Sequence, residues 1–138
     1  MRRIVLDTNC LIQMLSRRSP YYVAWTAYQH EQFALCISNE IISEYREVIG
    51  QKATPEIAEN VISLIIHHPC TEFFDPRFRF GFITSDVDDN KFVDCAIIAN
   101  ADYIVSNDSH FDELKQLPAE FQINVLKLQE FVQSLQGQ

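Results

Sequence analysis

A chain of 138 residues with 47% hydrophobic content has the length and the apolar material for one domain, residues 1–138, that needs neither disulfides nor a structural metal to hold its core. With 11 Lys+Arg against 19 Asp+Glu and a formal charge of -8, it is not a generally basic nucleic-acid binder, because long-range attraction to a polyanion requires grouped bases or bound cations. The same surplus of carboxylates suits hard cations such as Mg²⁺ and Mn²⁺, which prefer oxygen ligands.

Ile4, Val5 and Leu6 form a short apolar run that stops at Asp7, which predicts a buried strand, and Leu11, Ile12, Met14 and Leu15 then recur at helical spacing. Ser19-Pro20 breaks that helix, and residues 22–30 carry Val23, Trp25, Ala27 and Tyr28 in a second one. Residues 33–37 read as a strand. Ser38 is a good N-cap for a helix over 39–49, whose apolar members 41, 42, 45, 48 and 49 make one stripe, and Gly50 is expected to end it. Thr54-Pro55 places a cap before a proline at the first helical position of a fourth helix, which runs towards His68-Pro69.

Residues 70–74 suggest another strand. The segment 75–89, with Pro76, Gly81 and the acids Asp86, Asp88 and Asp89, reads as loop mixed with a short strand. A small-residue helix over 90–101 follows, then a strand at 103–105, a short helix at 111–117, a strand at 124–128 and a closing helix at 130–135. Strands alternating with helices at this density predict a three-layer α/β/α fold with a mostly parallel central sheet. In such sheets the binding crevice lies at the carboxyl ends of the strands.

Cys10, Cys36, Cys70 and Cys95 are widely spread, with no CxxC pair, and read as reduced core residues. The start of the chain is basic like that of a signal peptide, but Asp7, Asn9 and Gln13 interrupt its apolar stretch and no run approaches a membrane span. The expectation is a soluble cytoplasmic protein.

Asp7 and Asp108 follow strands and should point into one crevice, while Glu44 and Asp94 sit in helices beside apolar stripes. Taken singly, each has an ordinary structural use: Asp7 and Asp108 as helix caps, Glu44 and Asp94 as solvated charges. Four carboxylates converging on one crevice would repel one another without a cation, which favours a metal site.

Asp7-Thr8-Asn9 after the first strand, Ser38 to Tyr45 with Glu44, Asp94 within Phe92-Val93-Asp94-Cys95-Ala96, and Ala101 to Asp108 resemble the successive acidic motifs of PIN domains. The resemblance spans nearly the whole chain and is nearest to toxin components of prokaryotic toxin–antitoxin pairs. Ser106 stands where Thr is more usual, and Asn107 occupies a variable place. The resemblance implies a metal-binding and catalytic quartet of Asp7, Glu44, Asp94 and Asp108 holding Mg²⁺ or Mn²⁺, with Asn9 and Ser106 supporting the ligands. It also implies an RNA substrate, a cognate antitoxin and self-association.

Asn90, one helical turn before Asp94, is a further candidate support. Glu40, one turn before Glu44, is an alternative to it, while Asp86, Asp88 and Asp89 read as loop and cap residues. Arg17 and Arg18 are expected to end the first helix about 15 Å from Asp7, at about 1.5 Å per residue, as weak candidates for holding a substrate phosphate. His67 and His68 suit a helix end, and His110 follows Asp108 by two and could touch substrate, with no Ser or Cys nucleophile partner evident.

The reading that follows is a metal-dependent endoribonuclease. Its rivals are a non-catalytic interaction module of the same fold and, less favoured, an aspartyl-nucleophile phosphatase of the haloacid-dehalogenase type using Asp7. The latter pattern wants a second Asp two positions on, where this chain has Asn9.

Overall fold

The first strand, β1 (Arg3–Leu6), becomes the middle of the sheet, and its apolar side chains at 4, 5 and 6 are accordingly all buried. The computed structural model describes residues 1–137. In chain order the elements are β1, α1 (Thr8–Leu15), α2 (Tyr22–Gln29), β2 (Ala34–Ile37), α3 (Asn39–Lys52), α4 (Pro55–His67), β3 (Thr71–Phe73), α5 (Asn90–Ala99), β4 (Tyr103–Val105), β5 (Val125–Leu126) and α6 (Leu128–Gln136), with three 3-10 segments between them.

The strands pair in the order β3-β2-β1-β4-β5 and every pairing is parallel. Parallel strands need crossover helices, which clothe both faces of the sheet and make this a three-layer α/β/α fold. α5 packs across β1, β2 and β4, α1 packs on α2 and α3, and α3 packs on α4. Because the chain builds outward from β1 in both directions, the strand order reverses between β1 and β4. The carboxyl ends of those two strands therefore open a crevice.

Local signals explain most element boundaries. Ser38 Oγ accepts the Ile41 N–H at 3.2 Å to start α3, and Thr54 Oγ1 accepts the Ile57 N–H at 3.0 Å to start α4, with Pro55 in the first turn. The hydroxyl of Tyr45, wholly buried on α3, donates to the Leu6 carbonyl at 2.6 Å and ties that helix to the end of β1. All four cysteines are free and buried, and no helix among the described residues is long and apolar enough to cross a membrane.

The structure differs from the sequence expectations in three places. α3 runs through Gly50 to Lys52, since a helix-ending glycine adopts a left-handed backbone and Gly50 does not. The segment 75–86 contains no strand and crosses as extended loop into a 3-10 turn, Val87–Asp89. The short helix after β4 is 3-10, Ser109–Gln116: its buried Phe111 and Leu114 are three apart, which fits three residues per turn.

Candidate active site

Asp7 leaves β1 with its N–H donating to the Val105 carbonyl at 3.0 Å, so the backbone itself holds it against the end of β4. Its carboxylate accepts the Asn9 N–H at 3.3 Å, capping α1, and the Ser106 hydroxyl at 2.7 Å. Ser106 Oγ in turn accepts the Asp108 N–H at 3.0 Å, and Asp108 accepts the His110 N–H at 2.9 Å. Capping and convergence are thus compatible, because one carboxylate oxygen can satisfy a helix end while the group still faces the crevice. Burial raises the Asp7 pKa most. Hydrogen bonds from Ser106 and Asn9 pull it back, and the charges of Asp108 and Glu44 push it up again.

Glu44 reaches the same crevice from α3. One of its oxygens accepts the Thr8 hydroxyl, and the other accepts Lys91 Nζ at 2.8 Å. A further carboxylate comes from Asp89, immediately before α5. Its pKa is pushed up to about 6, first by burial and then by the charge of Asp86, with the His110 hydrogen bond opposing and the charges of Asp108 and Asp7 adding.

His110 Nδ1 stands 3.2 Å from Asp89 Oδ2, 3.0 Å from Asp108 Oδ1 and 3.8 Å from Asp86 Oδ2. Slight burial lowers the imidazole pKa, but its hydrogen bond with Asp89 and the charges of Asp108, Asp89 and Asp86 outweigh that and raise it. Asp86, Asp89 and His110 present ligand atoms within 4.8 Å of one another. Lys52 stands at the rim, donating to Asn9 Oδ1 at 3.2 Å, in a cleft also lined by Asp7, Cys10, Gln13 and Asp108.

Asp7, Glu44 and Asp108 therefore come together as the sequence suggested, with Ser106 between Asp7 and Asp108. Asn9 supports Asp7 through its backbone, while its side chain takes Lys52. Asp94 lies elsewhere. It is 2% exposed, accepts the Phe80 N–H at 3.2 Å and feels the charges of Arg79 and Glu40, with burial the main cause of its raised pKa.

Asn90, on the same helical stripe as Asp94, accepts the Ile83 N–H and donates to the Ile83 carbonyl, both at 2.9 Å. The two side chains thus anchor the segment 80–83 to α5. Glu40 pairs with Arg79. Arg17 and Arg18 are exposed in the turn beyond α1, which ends at Leu15. His67 Nδ1 contacts the Ser63 carbonyl, and His68 packs on Tyr28 with ring centroids 4.3 Å apart.

Sequence reasoning read Asp89 as a loop or cap residue and did not single out Lys91 or Lys52, all three of which stand at the crevice. A signal for Asp89 was available: it immediately precedes the helix that crosses back over the parallel sheet, and such a helix starts at the carboxyl edge of the strands. Nothing in the spacing marked the two lysines.

A PIN domain family model matches residues 3–110. The structure is similar to VapBC2 from Rickettsia felis bound to a DNA fragment from its promoter, with 16% identity, 91% of this chain and 98% of that chain covered, and a TM-score of 0.61. It is likewise similar to DNA-bound VapBC from Salmonella typhimurium, with 16% identity, 93% and 99% coverage and a TM-score of 0.59. At that identity these two likenesses establish the fold. A comparison with curated protein sequences gives no match.

Proposed function

Because the chain belongs to the PIN domain family, whose members are generally nucleases, we propose that it is a divalent-metal-dependent endoribonuclease with a site built from Asp7, Glu44, Asp89 and Asp108. The observation that carries this reading is the gathering of those carboxylates at the β1–β4 crevice, with the pKa values of Asp7 and Asp89 raised by burial and by neighbouring acids. Buried like charges are costly without a counter-ion. The donor set is carboxylate oxygen, which fits Mg²⁺ or Mn²⁺ better than a thiolate-loving ion.

A bound ion supplies Lewis acidity towards water and phosphate. The chain's own residues set the geometry around it. Ser106 orients Asp7, the caps at Asp7 and Asp108 fix their carboxylates on rigid elements, and His110 bridges Asp89 to Asp108. Lys52, at the mouth of the cleft, is placed to meet a backbone phosphate.

The VapBC neighbours support a toxin paired with an antitoxin as the biological setting, and RNA as the substrate rests on the resemblance of the acidic motifs to those of toxin PIN domains. Self-association belongs to the same reading. The test is incubation with end-labelled single-stranded RNA in Mn²⁺ or in EDTA, with product ends mapped by mass spectrometry. A 5′-phosphate and 3′-hydroxyl, formed only with metal, is the expected result. Cyclic phosphate ends, or cleavage undiminished by EDTA, would return the chemistry to a 2′-hydroxyl attack assisted by His110.

A further inference from the structure

Lys91 is the second residue of α5, and its ammonium points into the acidic crevice, with only 13% of the side chain exposed. Its Nζ donates to Glu44 Oε1 at 2.8 Å and to the Asp88 carbonyl at 2.8 Å, and it lies 5.5 Å from the Phe92 ring centroid. Three partners fix a side chain that is usually free. The second Glu44 oxygen is held by Thr8. Each oxygen of Glu44 is therefore engaged, one by a hydroxyl and one by a full positive charge.

On the other side of the crevice Asp7, Asp89 and Asp108 have no lysine or arginine salt-bridge partner among the described residues. His110 bridges Asp89 and Asp108, and Lys52 at the rim of the cleft gives its ammonium to the Asn9 side chain rather than to a carboxylate. The two halves of the site thus differ in the way their negative charge is offset. Glu44 has a resident cation, and the aspartates do not.

We infer that Lys91 is the second cation of this site: the protein takes a single divalent ion, among Asp7, Asp89 and Asp108, and the Lys91 ammonium supplies at Glu44 the positive charge that two-metal nucleases draw from another ion. The inference rests on the metal-dependent reading above. Its physical ground is that a divalent ion at Glu44 would have to displace Thr8 and sit against a fixed ammonium of like sign. An ammonium there is a point charge that neutralises Glu44 and stands ready for a phosphate oxygen. Lys91 also lines the grooves on both sides of this point, one with Ser43, Glu44 and Glu47 and the other with Arg79 and Asp94, so a strand passing either way meets it.

The experiment is a Mn²⁺ titration of the full chain, stripped of metal, with free Mn²⁺ counted by electron paramagnetic resonance. Wild type is expected to take one ion per chain and Lys91→Met two, because the methionine keeps the stem and removes the charge. Lys91→Arg and the double variant Lys91→Met with Glu44→Gln are expected to take one. Circular dichroism checks that each variant is folded, and Lys91→Gln serves in place of the methionine variant if that one is not. Two ions on wild type, or one on a folded Lys91→Met, would overturn the inference while leaving a metal-dependent nuclease standing. No Mn²⁺ on wild type would remove the metal-dependent reading and this inference together.

Discussion

Ser106 Oγ stands 2.7 Å from Asp7 Oδ2 across the seam between β1 and β4, and the same oxygen accepts the Asp108 N–H. One hydroxyl thereby sets the spacing of two carboxylates that come from opposite ends of the chain. Ser106→Ala is expected to weaken Mn²⁺ binding by about tenfold, as loss of an orienting partner commonly does, and to cost about 1 kcal/mol of stability through the lost buried hydrogen bond. Ser106→Thr keeps the hydroxyl and should keep both. Metal titration and urea melts of the three proteins measure it. Equal affinity in the alanine variant would show that Asp7 needs no such support.

Asp89→Asn and Asp94→Asn separate a half-buried acid from a buried one that a motif match alone does not distinguish. The first should abolish the Mn²⁺-induced rise in melting temperature and reduce RNA cleavage on the order of 100-fold or more, because it removes charge from the cation site. The second should leave cleavage within about threefold and stability within about 1 kcal/mol, since an amide oxygen still accepts the Phe80 N–H. Thermal shift with and without Mn²⁺ reads both. Loss of the shift in Asp94→Asn, with the shift retained in Asp89→Asn, would reverse the assignment.

The metal-free protein should gain stability as the medium is acidified from pH 7 towards pH 5. Asp89, with a pKa pushed up to about 6 chiefly by burial, is harder to ionise folded than unfolded. The stability tied to its protonated form is present below the unfolded pKa and is lost as pH rises through the folded one. His110, also raised, has the same sign: its favourable protonation is present below its ordinary pKa and is lost as pH climbs through the raised value. The Asp89 effect is on the order of 1–3 kcal/mol. Chemical denaturation of wild type and Asp89→Asn across this range tests it, and parallel pH profiles for the two would exclude Asp89 as the source.

Tyr45→Phe removes the buried hydroxyl that donates to the Leu6 carbonyl. About 1–2 kcal/mol of stability should be lost, while the Mn²⁺ affinity stays within about twofold, because the Ser106 and Asn9 hydrogen bonds to Asp7 are untouched. A matching fall in affinity would mean that the end of β1 is positioned from α3.

The sequence made the strand-end part of the site readable and left the helix-borne part ambiguous. Asp7 stops an apolar run and Asp108 follows one after Ser106 and Asn107, and an acid just past a buried strand has few directions to face. Helix phase is harder to read. Asp94 sits in the more motif-like setting, yet its stripe, shared with Asn90, faces the 80–83 segment, whose path no periodicity announced. Asp89 carries the signature of a cap and makes no capping hydrogen bond with its side chain. Lys91 could not be found by looking for acids, because its role depends on the acid it meets 47 positions away.

The order of the strands also has a consequence for synthesis. β1, β2 and β3 with α1 to α4 all lie in the first 73 residues, so more than half the sheet can form while one edge of β1 still lacks its neighbour. That open edge offers unpaired peptide groups until β4 emerges. Asp7 meets Ser106 across 99 positions of sequence, and contacts of such separation form late. On the proposed reading, a ribosome-bound chain is therefore harmless to the RNA around it for most of its elongation, and destructive capacity arises only when the final third has left the tunnel and docked.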